Sequence, residues 1–174
     1  MINLQHINIF FYYIRKMFKY GMVKNKIITT DDIFDQRLRA VYPMFKDPKF
    51  EDKAGLFSSD SMISEYIGGK SLRAGRSWSS VDEVLMPVNI NEHWIMVRLN
   101  IKGKYLRIYD SIRNEGHDES VGKELSRYSE LLPYFLFSLG LWPGKKPKGP
   151  IVKLPTLTPL SISWQNCLPL QTLQ

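Results

Sequence analysis

The spacing of apolar residues along this chain changes from helical to alternating and back, and that change outlines the fold. Residues 1–28 form an apolar-basic leader of undecided status: Ile7 to Phe18 is apolar and aromatic, but Arg15, Lys16 and Lys19 interrupt it. It reads either as a partly amphipathic helix or as an artefact of the gene model. Thr29-Thr30-Asp31-Asp32 can cap a helix, and Ile33, Phe34, Leu38 and Val41 follow at helical spacing. That helix is expected to stop at or before Pro43. Residues 46–60 read as a loop, and Ser61 to Ile67 as a short helix closed by Gly68-Gly69. Residues 68–80 read as a surface loop around Trp78.

The period then shortens. Val84 to Ile90 is a strand signal in which Pro87 implies an edge or a bulge. Trp94 to Leu99 is a nearly continuous apolar run, as expected of a buried strand. Lys102-Gly103 makes a turn, and Tyr105 to Tyr109 alternates as the returning strand.

Residues 111–119 read as a polar loop. Ser120 can cap a helix that carries Val121, Leu125, Tyr128, Leu131 and Leu132 on one face, and Pro133 is expected to restart it as a short apolar helix ending at Gly140. The tail from Trp142 holds six of the ten prolines, with strand-like pieces at Ile151–Leu154 and Leu160–Ile162. Helices, a hairpin, helices and an extended tail make an α+β domain.

Composition narrows the classes. At 174 residues, 44% hydrophobic and 13% aromatic, the chain is one globular domain and not a disordered one. No stretch of about 18 apolar residues exists, which argues against a transmembrane helix. The basic charges follow the apolar run and no small-residue cleavage site is evident, which argues against a secretory signal. A single cysteine excludes an internal disulfide framework and fits an intracellular compartment, nucleus or cytoplasm. His6, His93 and His117 share no close spacing, so neither a metal site nor a cofactor is expected. His117, between Gly116 and Asp118, reads as solvent-exposed. The net charge of +7 is scattered apart from Lys145–Lys148, so no specific nucleic acid, no membrane and a monomeric state are expected. Gly68-Gly69-Lys70-Ser71 resembles the end of a phosphate loop but lacks its first glycine and a leading strand. Arg73, Arg76 and Trp78 are candidates for lining a channel, although an ordinary basic loop is the simpler reading.

The chemistry concentrates in residues 84–113. If Lys102-Gly103 is a two-residue turn, Asp110 faces Ile95 and His93 faces Ile112. His93 and Asp110 then share a sheet face as diagonal neighbours about 7 Å apart, within side-chain reach. Asp110 could accept the Nδ1–H of His93 and leave Nε2 as a base. Read alone, a histidine beside a tryptophan at a strand start is more often structural, and Asp110 before Ser111 could simply begin a turn.

These residues resemble a family. Met86-Pro87-Val88-Asn89-Ile90-Asn91-Glu92-His93-Trp94 resembles the "(I/V)PVN…HW" segment of the ubiquitin-like proteases, the SUMO-protease-like cysteine peptidases, and Tyr109-Asp110-Ser111 resembles their "YDS". The 17 residues from His93 to Asp110 are similar to the family spacing. The closest likeness is to plant members tied to transposon-derived genes. The resemblance implies a papain-like cysteine-peptidase fold, helices flanking a small mixed or antiparallel sheet, over residues 29–174, incomplete at the C-terminus. It implies His93 as general base, Asp110 as its orienting acid and Trp94 as a residue shaping the substrate cleft. The partner implied is a ubiquitin-like modifier or its conjugates, and no cofactor.

The nucleophile segment departs from the family pattern. Cys167 lies in Trp164-Gln165-Asn166-Cys167-Leu168-Pro169, where Leu168 stands in place of the family's glycine. A second alignment matches Leu168-Pro169-Leu170-Gln171 to the family's "LPQQ", puts Gln171 in the oxyanion position and places the nucleophile beyond Gln174. The expected function is hydrolysis of peptide or isopeptide bonds at the C-terminus of a SUMO-type modifier. The alternative is a non-catalytic remnant that only binds a protein partner. With the final helices missing, the hairpin's buried face would lose its cover and the isolated chain would dissolve poorly.

Overall fold

The computed structural model describes residues 4–21, 26–59, 61–72, 75–144 and 154–165. In chain order these form α1 (Leu4–Lys19), β1 (Ile27–Thr29), α2 (Asp32–Lys46), α3 (Met62–Ile67), β2 (Glu83–Ile90), β3 (His93–Asn100), β4 (Tyr105–Tyr109), α4 (Glu115–Ser138) and β5 (Ser161–Trp164). The strands make one sheet in the order β1-β2-β3-β4-β5. The three central strands are antiparallel, and β1 and β5 join the edges in parallel. The α+β expectation, helices around a small mixed sheet, is borne out.

Alternation decides the faces. Val84, Met86, Val88, Ile90, Ile95, Val97, Leu99, Leu106 and Ile108 are all buried and form one cluster with Phe34, Leu38, Leu125, Tyr128 and Leu132 of α2 and α4. The hairpin's inward face is therefore covered, contrary to the expectation of an exposed apolar patch there. Among the exposed apolar residues, Ile9, Phe10, Tyr13 and Met17 lie on α1, and others such as Ile33, Met44, Met62 and Ile112 are scattered. Pro87 fits its strand because β1 pairs β2 only along 83–85, so beyond that the N–H side of β2 needs no donor.

The leader helix is fastened to the sheet. Arg15 is buried, and its guanidinium donates to Thr29 Oγ1 at 2.7 Å and to the Thr30 carbonyl at 3.2 Å. Burial lowers the Arg15 pKa, against the pull of Asp31 in the other direction.

Four local expectations are corrected. α2 runs through Pro43 to Lys46, because proline removes one N–H without preventing the last turn, and Asp47 N–H still reaches the Pro43 carbonyl. α4 begins at Glu115 and not after Ser120, since Asn114 is the cap and accepts from the His117 N–H at 3.0 Å. α4 is also continuous through Pro133. The Ser129 carbonyl that proline leaves without a helical donor takes the Leu160 N–H at 2.9 Å. Trp78 is buried against Phe34, with ring centroids 5.6 Å apart, so it lines no channel. Arg73, Lys145–Lys148 and the strand-like piece at 151–153 lie outside the described residues.

Gly68-Gly69 close α3 as expected, and among the described residues Lys70-Ser71 open no helix of the kind a phosphate loop leads into. Gly69 has φ +79°, and a Cβ there would stand 2.3 Å from the Arg76 backbone.

Candidate active site

The site forms where β3 begins and β4 ends. Asn91 and Glu92 both have positive φ, 50° and 65°, the pair of left-handed residues that makes a two-residue hairpin turn between β2 and β3. His93 is the first residue after that turn and pairs with Ile90. The β3–β4 register, Met96 opposite Tyr109 and Asn100 opposite Tyr105, is the register that the two-residue turn predicts, although residues 101–104 form the loop. His93 and Asp110 consequently lie on the same, core-facing side of the sheet.

His93 Nε2 lies 2.6 Å from Asp110 Oδ1. The Asp110 side chain is fully buried and that of His93 is one-quarter exposed. The contact uses Nε2, where Nδ1 was expected. In the neutral ring Nε2 carries the proton donated to the carboxylate, and the atom left with a lone pair is Nδ1. The arrangement still gives an oriented imidazole with one basic nitrogen, with the two nitrogens exchanging roles.

The same carboxylate holds a second imidazole. His117 Nε2 lies 2.7 Å from Asp110 Oδ2, and the two histidine rings meet edge to face at 5.4 Å. Solvent exposure was expected of His117, and the structure overturns it: the side chain keeps only 17% of its accessible surface. The Ile112 backbone N–H also donates to Asp110 Oδ1, at 2.9 Å. Burial by itself would raise the carboxyl pKa. The hydrogen bonds from Ile112, His117 and His93 outweigh it and hold Asp110 below the usual carboxylate range.

His117 was legible in principle. Asn114-x-x-His117, with Glu115 and Asp118 in the first turn, is a helix-start signature that places residue 117 beside the end of β4. Arg113 then pairs with Asp118 at 2.8 Å and stacks over Trp164, its guanidinium 4.1 Å from the ring centroid. The start of α4 is thereby tied to the end of β5.

Trp94 lies one residue on from His93 and so points to the opposite face. It lines two grooves. One, of ≈ 590 Å³, runs between α1 and the sheet, lined by His6, Ile7, Phe10, Met96, Tyr109 and Asp110 among others. The other, of ≈ 620 Å³, lies toward Asp32, Asp35, Arg39 and Glu92. Cys167 and Gln171 lie outside the described residues.

The family model of the Ulp1 protease family, C-terminal catalytic domain, matches residues 2–139. The chain belongs to this family. The matched span contains the leader helix, His93, Asp110 and His117, and ends before β5. Among solved structures, the chain is similar to the SUMO protease Ulp1 with its catalytic cysteine oxidised to a sulfenic acid, at 17% identity and a TM-score of 0.45 over 73% of this chain and 47% of that one. It is similar to the Ulp1 protease domain in complex with Smt3, the yeast ortholog of SUMO, at 18% identity and a TM-score of 0.44, over 73% of this chain and 47% of that one. A de-sumoylating protease matches at 15% identity and a TM-score of 0.47, over 78% of this chain and 46% of that one. The chain thus spans about half the length of the solved structures it matches. No curated protein is similar enough to count as a match.

Proposed function

We propose that the chain is a cysteine-type peptidase domain that cleaves peptide or isopeptide bonds at the C-terminus of a ubiquitin-like modifier of SUMO type. The observation that carries this reading is the His93–Asp110 contact of 2.6 Å, inside the span that matches a protease catalytic domain. One structural neighbour of that family is in complex with Smt3, the yeast ortholog of SUMO.

In this mechanism His93 Nδ1 takes the proton of a cysteine thiol, and Asp110 stabilises the imidazolium through Nε2. The thiolate attacks the carbonyl carbon of the scissile bond. The imidazolium gives its proton to the leaving amine as the C–N bond breaks, and water then hydrolyses the thioester with His93 again as base. Trp94 shapes the groove that receives the modifier's extended tail.

Cys167 is the nucleophile in this reading. β5 runs parallel to β4, and Gln165 N–H donates to the Ile108 carbonyl at 2.8 Å, two residues before Asp110. Cys167 is two residues further along the sequence, outside the described residues. The chain therefore leaves the sheet at the end where the imidazole waits. A lone cysteine, unable to form an internal disulfide, fits a reducing compartment, nucleus or cytoplasm. Among the described residues no helix is long and apolar enough to cross a membrane.

The test is hydrolysis of a modifier fused at its C-terminus to a fluorogenic amide. Turnover by the wild type that falls by at least about 1,000-fold in His93→Ala supports the reading. Turnover that is absent from folded wild type, with the modifier still bound, points to a binding remnant.

A further inference from the structure

Residue spacing in the sequence separates the three histidines, but the fold brings two of them onto one buried carboxylate. One ring nitrogen of His93, one of His117 and an oxygen of Asp110 lie within 4.8 Å of one another. We propose that these three residues form a reversible zinc-class cation site, and that a bound ion blocks the base. The blocking half rests on the peptidase reading above; the binding half does not.

The donor set selects the metal. Two imidazoles and one carboxylate suit zinc and its first-row neighbours, whereas calcium and magnesium prefer all-oxygen shells. Three protein ligands leave a fourth position open, and the two imidazoles are partly exposed, at 24% and 17% of the side-chain surface. That is the pattern of an exchangeable site and not of a closed structural one. The carboxylate is positioned by the Ile112 N–H, and His117 by the capped first turn of α4, so two of the three ligands are held from behind.

The present contacts set the limit on affinity. The nitrogens lie 2.6 and 2.7 Å from the carboxylate oxygens. Around a tetrahedral zinc with bonds of about 2.0–2.1 Å, neighbouring donors stand roughly 3.3 Å apart. Each ring must retreat by roughly 0.6 Å, and for the ion to take the Nε2 lone pair the proton that Nε2 now donates to Asp110 must move to Nδ1. Binding then gives up two hydrogen bonds to the carboxylate. With the ion in place, Asp110 no longer orients His93, and Nδ1 of His93 carries the proton and has no lone pair with which to act as base.

The experiment is calorimetric titration of the full chain with zinc chloride near pH 7.5, alongside nitrogen-15 spectra of the histidine side chains. The expected results are one zinc per chain and a loss of at least ~10-fold in His117→Ala. Because His117→Ala could disturb the fold, the unmutated chain supplies the second reading. Zinc should move the ring resonances of His93 and His117 and leave those of His6 in place. Binding weaker than millimolar by the folded chain, or shifts confined to His6, would overturn the site. Neither readout uses activity: failed zinc binding leaves the peptidase reading intact, and failed hydrolysis without zinc leaves the cation site intact.

Discussion

Ser129 and Leu160 exchange two hydrogen bonds: the Leu160 N–H donates to the Ser129 carbonyl at 2.9 Å, and Ser129 Oγ donates to the Leu160 carbonyl at 2.8 Å. Pro133 is the reason the first is available, since it has no N–H to occupy the carbonyl four residues back. The residue that looks like a helix break in the sequence thus opens a docking point for the segment leading into β5. Ser129→Ala should lower stability by about 1–2 kcal/mol, because a buried carbonyl loses its donor. Denaturant unfolding measures this, and a change below about 0.5 kcal/mol would mean the tie is incidental.

A buried charge network joins α2 to α4. Asp35 Oδ1 accepts from Arg127 Nη2 and from the Tyr128 hydroxyl, each at 2.6 Å. Burial first, and the Asp35 charge second, push the Tyr128 phenol well above its ordinary value. A pKa raised on folding means the protonated form is the stable one. The stabilisation is therefore complete below about pH 10 and is lost as pH rises further, at up to 1.36 kcal/mol per pH unit. Tyr128→Phe should cost about 1–2 kcal/mol at pH 7, and the gap should narrow above pH 10. A gap constant to pH 11 would contradict the assignment.

The turn before His93 holds Glu92 at φ 65°. A left-handed conformation costs a side-chain-bearing residue about 1–2 kcal/mol, and glycine gives back roughly 0.5–1 kcal/mol of that in chain entropy. Glu92→Gly should stabilise the domain by about 0.5 kcal/mol, seen as a rise of about 1–2 °C in Tm, and Glu92→Ala should not. Equal effects of the two substitutions would locate the benefit in lost charge.

His117 supports a carboxylate that has no access to water. Its removal strips a donor from Asp110 Oδ2, so His117→Ala should cost about 1.5–3 kcal/mol in chemical denaturation. An ordinary surface histidine would cost less than about 0.5 kcal/mol. A value in that lower range would mean His117 does not fix the carboxylate.

Much of the site is legible in the sequence. Side-chain parity along two strands and one turn was enough to put His93 and Asp110 on the same face, because the strand period of two leaves no freedom once the register is set. What parity does not carry is the rotation of a ring, so the nitrogen facing Asp110 was misassigned. His117 escapes because a cap at Asn114, four residues before Asp118, competes with one at Ser120, and only the end of β4 decides between them. Pro43 and Pro133 misled for a common reason. A missing N–H stops a helix in isolation, but the carbonyl it leaves over can be satisfied by tertiary structure, as at Ser129. β1 is three residues long, too short for its alternation to register.

The most direct test of the central claim is covalent labelling. A SUMO-type modifier carrying a thiol-reactive electrophile at its C-terminus is mixed with the wild type, Cys167→Ala and His93→Ala, and intact masses are measured. The account predicts one modifier per wild-type chain and none on either variant. No adduct on folded wild type, or an adduct that survives in Cys167→Ala, would contradict it.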